Sequence, residues 1–235
     1  MQPDRYTPTP ATAARASIDA GLRAHLQSIY NRMCLGVLVT AITAFVVANT
    51  PALLQLFLGG PQVYIVMLAP LAVIWFGFNP MKMDSGKLRI SFFLLSVLYG
   101  ISFATIFIAY AKEDIARAFF IASAMFAGLS IFGYTTRKNL DGLGTFCFMG
   151  VIGVLVLGLA NIFIGSSALM NVISVVSILA FSGMTAWQTQ SMKEMYSAAN
   201  GAETNSRMAW AAALNLYISF IVLFQNILHL IGNNR

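Results

Sequence analysis

The chain has 235 residues, 58% of them hydrophobic and only 9% charged. A soluble domain keeps its surface hydrated with about 25% charged residues, so a water-soluble fold is excluded, and the hydrophobic fraction equally excludes a disordered chain. The net charge of +6 sits in short stretches beside apolar segments and not in one basic patch, which points to membrane topology and away from nucleic acid.

Residues 1–32 are polar and carry Pro3, Pro8 and Pro10 with Arg5, Arg15, Arg23 and Arg32. They contain no apolar core of the signal-peptide kind. They read as a cytoplasmic N-terminal segment, disordered at first, with a short helix over 17–31 capped by Ser17 or Asp19 and lying along the membrane surface. Residues 33–235 read as one transmembrane domain.

Seven apolar segments follow, near 33–50, 62–79, 88–111, 115–135, 143–164, 169–190 and 207–231. At 1.5 Å per residue a span of about 20 residues crosses the ~30 Å hydrocarbon core. None shows the period-2 alternation of a barrel strand, and a helix satisfies its own backbone in lipid. The fold class is therefore all-α, a polytopic membrane protein with seven transmembrane helices. The weakest boundary is 50–62, which Pro51, Gly59, Gly60 and Pro61 interrupt.

Lys and Arg set the orientation. Arg5, Arg15, Arg23, Arg32, Lys82, Lys87, Arg89, Arg137, Lys138, Lys193 and Arg207 fall on the side of the N-terminus, and Lys112, Arg117 and Arg235 on the other. The positive-inside rule then places the N-terminus in the cytoplasm and the C-terminus outside. Cys34 and Cys147 lie near the cytoplasmic face, where thiols stay reduced. They are expected neither to pair nor to bind metal.

No catalytic constellation stands out, so neither an enzyme, a cofactor nor a metal centre is expected. His25 and His229 are far apart, and there is no HExxH, phosphate loop or nucleophile elbow. No Asp or Glu falls inside the core of an apolar segment. A proton-coupled transporter generally needs one as its relay.

The uncharged polar residues are nevertheless arranged. At 100° per residue, Asn215, Ser219, Asn226 and His229 of the last span share an arc of about 80°. In the span before it, Asn171, Ser174, Ser177, Thr185 and Gln188 share an arc of about 120°. Lipid-facing amides are costly, so both stripes should face the bundle interior. Two readings stay open: hydrogen bonds that hold the bundle together, or a narrow polar path.

An ordered set of short motifs resembles the bacterial branch of the Bax-inhibitor-1 family. It comprises Gly133-Tyr134-Thr135-Thr136-Arg137-Lys138-Asn139-Leu140, then Gly142, Gly144 and Phe148-Met149-Gly150, and Asn161-Ile162-Phe163. Trp187-Gln188-Thr189-Gln190-Ser191-Met192-Lys193 and Leu214-Asn215-Leu216-Tyr217-Ile218-Ser219-Phe220-Ile221 complete it, with Ile18-Asp19-Ala20-Gly21-Leu22-Arg23 and Tyr30-Asn31 near the N-terminus. The resemblance implies a seven-helix fold with a central seventh helix in a bacterial inner membrane. It also implies a pH-sensitive calcium leak switched by two facing aspartates. Here the matching positions are Gln188 and Ser219, and neither can ionise. The second span also lacks the arginine that pairs with the dyad in some members.

The expectation is therefore a relative of the calcium-leak channels without aspartate-based pH gating, in contact with lipid and small cations. The alternative is a non-transporting regulator of other membrane proteins, such as a membrane-anchored ATP-dependent protease, with 1–32 as its contact.

Overall fold

The computed structural model describes residues 10–197 and 199–232, with side chains from residue 20 onward. The stretch 1–9 expected to be disordered lies outside the described residues. Among the described residues the regular structure is helical throughout: α1 Pro10–Ala48, α2 Pro51–Leu58, α3 Gln62–Phe76, α4 Ser85–Ala109, α5 Lys112–Thr135, α6 Asp141–Ile164, α7 Ser167–Met195 and α8 Ala202–Gly232. Six of these are long and apolar enough to cross a membrane.

The second crossing differs from the expected straight span. α2 and α3 meet at an angle of 77°, and α3 alone, at 15 residues, covers only ~22 Å. Pro51 fits the first turn of α2, where its missing N–H costs nothing. Gly59 and Gly60 then end the helix before Pro61. Together the pair leads from the far end of α1 back to Pro80, which touches the start of α8.

The surface helix expected over 17–31 is instead the first part of α1, which runs unbroken through Arg32. Leu26, Ile29 and Met33 are buried in the same core as α8. Apolar residues continue the helical face across residue 32, so nothing in the local sequence breaks it.

α8 is the central element. Of its most apolar window 67% is buried, against 6% for α6, and α1, α4, α5 and α7 all pack on it. Tyr217, Leu216 and Leu223 are fully covered, and Phe92 of α4 packs edge-on against Tyr217 at 5.5 Å. Tyr217 also hydrogen-bonds Thr40 of α1 at 2.7 Å, and the Thr40 hydroxyl lies 2.9 Å from the Ser96 carbonyl of α4. One buried polar knot thus ties three helices. Tyr217→Phe should cost about 1 kcal/mol and lower the melting temperature of the detergent-solubilised protein without changing its fold.

The connections expected on the N-terminal side are stitched to one another. Arg32 stacks on Trp210 at 4.3 Å and donates to the Ser206 carbonyl. Glu203 accepts from the N–H and hydroxyl of Ser85 at 2.7 and 2.9 Å, placing a carboxylate at the α4 N-terminus, where the helix dipole favours it. Gln190 bridges the Leu140 N–H and the Lys138 carbonyl. The basic loops therefore do share one end of the bundle. Cys34 and Cys147 are both free.

Candidate functional site at the seam between α7 and α8

α7 extends to Met195 and α8 begins at Ala202, each several residues beyond its apolar segment. That extension brings Gln188 and Ser219 to one level. The Ser219 hydroxyl donates to Oε1 of Gln188 at 3.0 Å, with Ser219 1% and Gln188 9% exposed. On the next residue, Thr189 Oγ1 lies 3.2 Å from the Tyr30 hydroxyl of α1. Thr185 is fully buried and donates to the Phe181 carbonyl. The contact between the two helices is polar and uncharged at this level.

Further along, α7 and α8 open with α6 and the end of α4 into a cavity of about 650 Å³. Ser177, Asn226 and His229 line it, as do Asn161 and Gln225. Ser177 is buried and donates to the Ile173 carbonyl; Asn226 donates to the Val222 carbonyl at 2.8 Å. Among the described residues, neither the buried His229 Nε2 nor the buried Ser174 hydroxyl has a hydrogen-bond partner. Asn171 is half-buried near the start of α7. Serines and threonines that return their proton to a carbonyl one turn back leave only the oxygen facing the seam.

Asn215 departs from the expected stripe: it is exposed. The helical wheel puts it one turn from Ser219 and about 40° round, yet Ser219 is buried and Asn215 is not. Asn215 lies on the least covered stripe of α8, which continues through Ile218, Val222 and Gln225. Gln225 was not singled out from the sequence. Its place about 80° from Asn215 was the available signal.

Asp114, just ahead of the apolar segment 115–135, is buried. α5 begins at Lys112, so Asp114 falls within its first turn and is 4% exposed, 3.7 Å from Arg117. It is remote from the Gln188–Ser219 contact. Gly133, at the other end of α5, lies against Ala186 of α7, and the nineteen positions from Asp114 to Gly133 span ~28 Å. Among the described residues, no three His, Cys, Asp or Glu side chains come together to hold a metal.

Comparison with known proteins settles the relationship. The family profile described as inhibitor of apoptosis-promoting Bax1 matches residues 22–235. The chain belongs to the Bax-inhibitor-1 family. An uncharacterised protein of Caulobacter vibrioides is 38% identical, over 96% of this chain and 95% of its own. One from Rickettsia prowazekii is 34% identical over 98% of each. The inner membrane protein YbhL of Escherichia coli is 34% identical over 92% of this chain and 94% of its own. Within this Bax-inhibitor-1 chain, the α7–α8 seam is built from an amide, hydroxyls and backbone carbonyls.

Proposed function

We propose that the protein is a weak cation pathway of a bacterial inner membrane whose closure does not respond to pH. The observation that carries this reading is the buried hydrogen bond from Ser219 to Gln188. It lies at the level of the Tyr30–Thr189 contact, on the same two helices that line the cavity at Asn226 and His229. The family leak is read as an aspartate pair that gains charge with pH. An amide and a hydroxyl in those positions hold one charge state at every physiological pH and supply no anionic ligand for a hard cation.

We read the N-terminus as cytoplasmic, because the basic loops lie on its side. In vesicles holding a calcium indicator, the natural chain should give slow flux that stays flat from about pH 6 to 8, where a coupled carboxylate pair would titrate. Steep pH dependence from the unaltered chain overturns the reading. Absence of flux together with co-purification of a membrane-anchored protease favours the regulator instead.

A further inference from the structure

Between α1 and α5, part of α8 is left without a helix over it, and an apolar groove follows the direction of the spans. Its deeper part, about 540 Å³, is lined by Met33, Val37, Ala41, Phe119, Phe126 and Phe220. Through Tyr30, Ser130 and Ile131 it is continuous with a crevice of about 320 Å³, which Arg23, Tyr134 and Thr189 also line. The groove is thus apolar in its depth and polar at the N-terminal mouth.

Its length, charge and one orphan hydroxyl say what fills it. From Tyr30 to Ala41 is eleven residues of helix, ~16 Å, long enough for an acyl chain of one leaflet of a ~30 Å hydrocarbon core, and past Ala41 the apolar groove continues by Ala44 and Phe107 towards Lys112. At the mouth stands Arg23, and Lys193 places its ammonium 5.4 Å from the Tyr134 ring centroid. Among the described residues neither cation is in an ion pair; the two pairs present are Lys87–Asp84 and Arg117–Asp114. Ser130 is 8% exposed, and its hydroxyl has no partner among the described residues. Ser96, Ser102 and Thr135 each donate to the carbonyl one turn back, whereas Ser130 lines both groove and crevice with its proton uncommitted.

We propose that this groove is a binding site for an anionic phospholipid from the leaflet on the N-terminal side. One acyl chain lies along Met33, Val37 and Ala41 against Phe126 and Phe220. The phosphate sits between the Arg23 guanidinium and the Lys193 ammonium, which reach it by extending their aliphatic stems along the crevice. Ser130 donates to an ester oxygen. A neutral headgroup gains the chain contacts but lacks the net negative charge those two cations attract.

The test uses the full chain reconstituted into bilayers of equal phosphatidylglycerol and phosphatidylcholine, then extracted gently and weighed by native mass spectrometry. The natural chain should retain one phosphatidylglycerol with about thirtyfold preference, the effect of two basic side chains on an anionic headgroup. Arg23→Gln with Lys193→Gln should lose the preference while keeping the fold, since both side chains are exposed. Ala41→Phe should block the groove and release lipid of either kind. Equal retention of the two lipids by the natural chain overturns the proposal, as does an unchanged preference in the double variant, and the double variant decides alone if Ala41→Phe fails to fold. A change of oligomeric state in Ala41→Phe with lipid retention intact also overturns it, and assigns the groove to a second copy of the chain.

Discussion

Replacing Gln188 and Ser219 together by aspartate should make calcium flux rise with pH. The two side chains already meet at 3.0 Å inside the bundle, so the new carboxylates would share that contact. At low pH the pair holds a proton between them. Burial and mutual repulsion both oppose loss of the last proton, so that step falls well above the ordinary carboxylate range. When it occurs, two adjacent negative charges push α7 from α8 and offer hard oxygen ligands to a divalent cation. The sign follows: low flux below the pair's upper pKa, higher flux above it. Gln188→Asn with Ser219→Asn changes shape at the same contact without adding charge and should stay flat. A folded double-aspartate variant with flat flux would show that this contact does not lie on the pathway.

Gly133→Leu should prevent α5 from docking on α7. A Cβ at residue 133 would overlap the carbonyl oxygen of Ala186 and lie 2.9 Å from its carbonyl carbon. Those are backbone atoms of a packed helix, and they cannot rotate aside as a side chain could. Small residues at such contacts let helix backbones approach closely in a membrane, where packing and not water exclusion drives association. Forcing extra carbons into the contact should cost about 3 kcal/mol, seen as a lower melting temperature and loss of a monodisperse peak in detergent. Gly128→Leu on the same helix is the control. Nothing lies within 4 Å of a Cβ there, so it should leave both readings unchanged. Equal damage from the two variants would show that the loss does not come from the Ala186 contact, since leucine is the better helix former at both positions.

Much of the fold was legible in the residue pattern because a bilayer imposes one rule on every span. Backbone groups must pair internally and side chains must be apolar over a fixed length. The boundaries of α4, α5 and α6 accordingly fall within a few residues of the apolar segments. The departures occur where that rule does not act. α1 continues past its apolar part because Leu26 and Ile29 find a core outside the apolar stretch. α7 and α8 overrun their segments because Lys193, Glu203 and Ser206 bond across the end of the bundle. At the seam, periodicity grouped Ser219, Asn226 and Asn215, but which of them meets α7 depends on where the neighbouring helix ends its cover.

By itself the sequence determined that the chain is a helical membrane protein and which loops share an end. Those follow from composition and local order, since each concerns one residue type or one segment in its solvent. Only the tertiary structure decided that Gln188 meets Ser219, that Asn215 faces outward, that Asp114 is buried and that Ser130 opens into a groove between α1 and α5. Each of these depends on the angle and depth at which separate helices pack. That is set by contacts such as Gly133 on Ala186 and Tyr217 on Thr40, whose partners lie 53 and 177 positions apart in the chain.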